Sequence, residues 1–143
     1  MTAHHHRIEV ETEGNVDILD LTDPLRSVVG DSGVGTGQCT AMVTGSTAAL
    51  TTLEYEPGLV QHDVARALEG IAPEDAPYEH EKTWNDDNGH SHIRASLIGP
   101  SLALPVVDGE IPLGTWQQVV LVDCDTRPRR RTVVVTVVGD PAP

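Results

Sequence analysis

The 143 residues suit one domain, and such a domain buries roughly two-thirds of its surface. Its 22 acidic residues against 9 basic ones give a formal charge of -13, a field that repels nucleic acid and anionic membrane and argues against both as partners. No apolar run approaches the ~20 residues of a membrane span, and no signal peptide is evident, so the expected location is cytoplasmic, with Cys39 and Cys124 reduced. Phe is absent and the core is expected to be aliphatic and β-branched. Acid excess with Lys82 as the lone lysine fits a high-salt cytoplasm, and an ordinary acidic protein equally.

In chain order, Arg7 to Glu13 alternates as a strand, turns at Gly14-Asn15, and pairs with Val16 to Leu21 in an opening hairpin. Asp23-Pro24 starts a short helix, with Asp23 capping, that ends before Gly30 and Gly33. Ser32 to Gly37 is glycine-rich but lacks both phosphate-loop and dinucleotide fingerprints, and reads as a flexible lead into a strand. Cys39 to Val43 and Ala48 to Tyr55 are strands about a bend at Thr44-Gly45-Ser46. Pro57 opens the main helix, whose apolar stripe is Val60, Val64, Ala67, Leu68 and Ile71. Ala72 to Asp87 is a long acidic loop carrying His80 and Trp84. Ile93, Leu97 and Ile98 recur at helical spacing until Gly99-Pro100. Leu102 to Val107 then forms a strand, and Asp108-Gly109 turns it into a hairpin whose return arm passes Trp116. Gln117 to Val122 and Arg131 to Val138 are the last strands.

The chemistry-bearing residues cluster as His80, His90 and His92 with Glu54, joined by Cys39 or Cys124 if the fold brings one close. Imidazole and carboxylate suit a divalent ion such as zinc. His90 and His92 share a face only if extended, since on a helix they diverge by about 200°; His90 is expected in the loop, turned toward His92. A metal site, an acid/base histidine and satisfied structural histidines all remain open. The run Arg127 to Arg131 suits a phosphate or pyrophosphate, or serves as local charge balance in an acidic chain.

The segments GQCTAMV, STAALTTLE, PEDAPYEH, NGHSHIRASLIGPSLALP, LGTWQQVVLVDCD and RRRTVVVTVVGD, in that order, resemble the YjbQ (UPF0047) family over about Val34 to Asp140. The resemblance implies an α+β fold, a two-layer sandwich of mostly antiparallel strands with few helices, spanning residues 1–143 as one domain and assembling as a homotrimer. It also implies a secondary thiamine phosphate synthase activity, which couples hydroxymethylpyrimidine diphosphate to a thiazole phosphate and releases pyrophosphate. The alternative is a metal- or small-metabolite-binding protein. The family's glutamate matches Glu54, its later histidine His92, and its TWQ motif Thr115, Trp116 and Gln117; its HTT-type histidine falls on Gly45 and is missing. Under this reading His92, Glu54 and Gln117 are catalytic, Trp116, Arg129 and Arg130 bind substrate, and His90, His92 and Glu54 hold a zinc or magnesium ion. The HSH variant resembles an archaeal subset, which with the acidic bias points to a halophilic archaeon.

Overall fold

Arg129–Pro141 (β7) carries Val133, Val135 and Val137 at every second position, and all three are fully buried. A period of two places them on one face of a sheet. In the computed structural model, which describes Met1–Pro143, β7 is an interior strand of a four-stranded antiparallel sheet. Thr2–Thr12 (β1) lies on one side, and Val34–Val43 (β3) followed by Ser101–Val107 (β5) on the other. Gln118–Asp123 (β6) follows a different rule: every residue from Val119 to Asp123 is buried. Unbroken burial marks a strand covered on both faces, and β6 is the middle of a second sheet, between Asp17–Asp20 (β2) and Ala48–Leu53 (β4).

Val119 and Leu121 face the first sheet in a core of 19 buried residues, to which the helix Thr22–Ser32 (α1) adds Leu25, Val28 and Val29. Val120 and Val122 face the other way, into a six-residue cluster with Ile18, Leu68 and Cys124. Leu68 comes from Val64–Ile71 (α2), which continues a π-helical turn, Leu59–Asp63. The fold is thus the α+β two-layer sandwich that the resemblance implies, with α2 against the outer face of the smaller sheet. Truncating a residue such as Leu121 costs about 2–5 kcal/mol, because both the sheet partner and the facing layer lose contacts. Cys39 sits in the first cluster and Cys124 in the second, both unbridged, and burial pushes their thiols up to about 11 and about 12.

Four expectations need correction. β1 and β2 form no hairpin, because the chain crosses between sheets at Gly14, Asn15 and Val16, all at positive φ. Asp108 and Gly109 do turn at positive φ, but the return arm forms only a bridge, Val107 to Glu110, before the chain leaves for the other sheet. α1 runs through Gly30 and stops at Gly33, which takes the left-handed C-cap conformation, and Asp20 rather than Asp23 receives the Thr22 N–H at 2.9 Å. In the main helix the wider π turn shifts the facing residues: Ala65 joins Val60, Val64 and Leu68 at the sheet, while Ala67 and Ile71 are exposed.

Candidate functional site

The arginine run shows how strand geometry selects site residues. Arg129 and Arg131 share the inner face of β7, while Arg130 points outward, mostly exposed, with its Nε 3.6 Å from Glu9. Arg131 Nε donates to Asp123 Oδ2 at 2.7 Å and its Nη2 to Thr47 Oγ1 at 2.6 Å. Thr47 donates onward to Asp125 Oδ2 at 2.9 Å, and Arg129 Nε donates to the same oxygen at 2.9 Å. Two guanidinium groups therefore meet two buried carboxylates in one connected network. Burial pushes the Asp125 carboxyl up, but the Thr126 N–H, the Thr47 hydroxyl and Arg129 outweigh it and hold the carboxyl below its ordinary range. Arg129 uses only its Nε in this network, so its terminal nitrogens make no hydrogen bond within the chain.

Above the network lies a polar cavity of about 350 Å³. The turn between β3 and β4 contributes Gly45, Ser46 and Thr47 to its wall. His80 and Trp84 come from the short helix Glu81–Trp84 (α3) and the residue before it, and His92 from Gly89–Ile98 (α4). The His80 and His92 rings stand 4.5 Å apart between centroids at 42°. His80 Nδ1 is buried 3.3 Å from Asp86 Oδ1 but lacks the alignment of a hydrogen bond. With its amide nitrogen turned toward Asp86, Asn88 donates to that carboxylate at 2.9 Å. Donor atoms of His80, Glu81 and Asp86 lie within 4.8 Å of one another, so this group, with an orphaned ring nitrogen, fits a divalent ion.

The structure brings His92 together with His80 of the expected cluster and with Arg129 and Arg131 of the arginine run, adds Asp86, and separates the other expected site residues from them. His90 and His92 are both helical, so their side chains diverge and His90 lines a different cavity. Glu54 follows the last residue of β4, and six strand residues at ~3.3 Å each put it about 20 Å from the Thr47 end. Gln117 Nε2 donates to Thr52 at 3.1 Å, which places Gln117 at that far end as well. Trp116, 73% exposed beside it, lies outside the cavity, and Trp84 is the aromatic residue lining it. The expected ligand set His90, His92 and Glu54 does not converge within the chain. Alternation alone pairs Arg129 with Arg131 rather than with Arg130; nothing local marks Asp86 or Thr47.

Gly45, where the resemblance implies a histidine, takes φ +108°, and a Cβ there would lie 2.7 Å from Arg131 Nη1. Arg131 thus fills space that a side chain at position 45 would need.

Comparison with known proteins agrees with this architecture. The family model described as UPF0047 protein YjbQ-like matches residues 6–140. A UPF0047 protein from Methanothermobacter thermautotrophicus is 35% identical over 141 residues, covering 99% of this chain and 96% of the relative. A crystal structure of a YbjQ-like protein of unknown function from Sulfolobus solfataricus superposes with a TM-score of 0.91 at 30% identity, covering 97% of this chain and 99% of the other. A hypothetical protein from Aeropyrum pernix superposes at 0.88 and 31% identity, over 96% and 99% of the two chains. With the family model matching residues 6–140 and the relatives covering nearly the whole chain, the chain belongs to the YjbQ-like UPF0047 family.

Proposed function

We propose that the cavity bounded by His80, His92 and Arg129 binds a small phosphorylated metabolite, and that its reaction is the secondary thiamine phosphate synthesis the family resemblance implies. The observation that carries this reading is Arg129: its Nε is fixed by Asp125 while its terminal nitrogens remain free beside two imidazoles. A guanidinium pre-oriented in this way suits two phosphate oxygens. In the proposed reaction the thiazole nitrogen forms a bond to the pyrimidine methylene carbon as the carbon–oxygen bond to diphosphate breaks. Pyrophosphate leaves with the electron pair, so no protein nucleophile is needed. Arg129 and a ring N–H of His92 would stabilise the departing charge, and Trp84 offers an apolar face to a flat ring. A divalent ion at His80, Glu81 and Asp86 would neutralise further phosphate charge.

The test is pyrophosphate release from the two substrates, together with quenching of Trp84 fluorescence by pyrophosphate in a Trp116→Phe background. Arg129→Ala should lower both pyrophosphate affinity and turnover by about 10–100-fold, the worth of a charge-assisted hydrogen bond. Binding without turnover would favour the second reading, a metal- or metabolite-binding protein, which the convergence of His80, Glu81 and Asp86 independently supports. Neither binding nor turnover would sink both for this cavity.

A further inference from the structure

On the opposite side of α4 from His92 lies a larger cavity, of about 550 Å³, walled by the acidic loop before α4 and by Thr126. Five carboxylate residues and no lysine or arginine line it. Acidic residues alone are ordinary in a chain of charge -13, but His90 is not ordinary. It is 2% exposed, lines the cavity, and makes no hydrogen bond within the chain. With no protein partner and no place among the sealed-off polar atoms, its ring nitrogens open onto the cavity, where a ligand can reach them. Tyr78 is held beside it, with ring centroids 6.2 Å apart, and packs against the α4 backbone so closely that a Cβ at Gly89 would lie 2.7 Å from Tyr78 Cβ.

We propose that this cavity binds a small organic cation bearing two or more ammonium groups, with His90 as the buried hydrogen-bond acceptor and Glu74, Asp75 and Asp87 as counter-charges. Size decides between an amine and a metal ion. The cavity falls within the ~300–1,000 Å³ of small-molecule pockets and far exceeds the ~30 Å³ share of one water. Metal-ligand spacing decides the same way: His80, Glu81 and Asp86 alone bring three donors within 4.8 Å, so Glu74, Asp75, Asp87 and His90 are spread too widely for one coordination sphere. Glu81 accepts the Asp87 N–H and Asp86 accepts from Asn88, and that leaves the other three carboxylates unpaired by side chains. Separated negative charges suit separated ammonium groups, and the Tyr78 ring lines the same cavity, within reach of a bound cation. Asp86 lines both cavities, so an amine here would sit next to an anion in the other.

Calorimetric titration of the full chain carrying His80→Ala, which removes the separate ion group without touching this cavity's lining, tests the proposal with 1,4-diaminobutane at fixed ionic strength, and with butylamine and manganese chloride as separate titrants. The expected result is one saturable site per chain, at least tenfold tighter for the diamine than for the monoamine or the metal. Glu74→Gln and Asp75→Asn should each weaken it several-fold, and His90→Leu tenfold or more. Glu74 and Asp75 are exposed, so those variants stay informative if His90→Leu fails to fold. Absence of saturable diamine binding, equal or tighter manganese binding at the same site, or affinity unchanged in both carboxylate variants would overturn it.

Discussion

Arg131 grips Asp123 with two bonds, Nε to Oδ2 at 2.7 Å and Nη2 to Oδ1 at 3.1 Å, and the two side chains are only 8% and 0% exposed. Removing one partner of such a pair strands a buried charge. Arg131→Ala should therefore destabilise the protein by about 3–5 kcal/mol in urea denaturation. Asp123 would keep its bonds from Thr12 and the Asp125 N–H, which places the loss toward the lower figure. Arg130→Ala, an exposed change one residue away, should stay within about 0.5 kcal/mol. Equal effects at the two positions would show that the buried network contributes nothing special.

Asp125 gives the stability a pH dependence of known sign. Its folded-state value lies below the ordinary 3.8, so its contribution is fully present above that value and is lost as pH falls through the folded one. Asp125→Asn should lower the thermal midpoint at pH 7, and the gap from wild type should narrow below about pH 4. A gap that is constant from pH 7 to pH 3 would mean that the carboxylate charge is not what Asp125 contributes.

The ion is expected at His80, Glu81 and Asp86. Elemental analysis after zinc loading should find it lost in His80→Ala and in Asp86→Ala but retained in His90→Gln, all in a chain whose His4, His5 and His6 are replaced by serine. Zinc that disappears with His90 would restore the set expected from the sequence.

Association is expected to follow the family resemblance, which implies a homotrimer. β1 is an edge strand, and Met42 and Val107 are exposed on the strands at the other side of its sheet, surface that subunit contact would cover. Light scattering coupled to gel filtration in high salt should give three chains; a monomer at micromolar concentration would exclude the trimer.

Strand positions were readable because β-branched runs such as Val133 to Val138 leave little choice of conformation. Sheet membership was not: β1 and β2 are neighbours in the chain, yet β1 pairs with β7 and β2 with β6, each far away in sequence. That choice is set by which faces are buried together, and local propensity carries no record of it. The site divides in the same way. His92 and Arg129 were legible from residue type and resemblance, and the Arg131 assignment was available from strand alternation. Glu54 lies beyond the far end of β4 from Thr47, a position that a motif match alone does not reveal. His90 was misplaced because one residue's difference in where α4 begins decides whether it turns toward His92 or away.

The Gly45 turn limits what that position can hold. A side chain there would meet both an unfavourable backbone, at φ +108°, and Nη1 of Arg131. Arg131 grips Asp123 through Nε and Nη2 instead, so Nη1 can yield only by tilting those two bonds. A histidine introduced at position 45 is therefore expected to loosen the buried ion pair as well as to strain the turn.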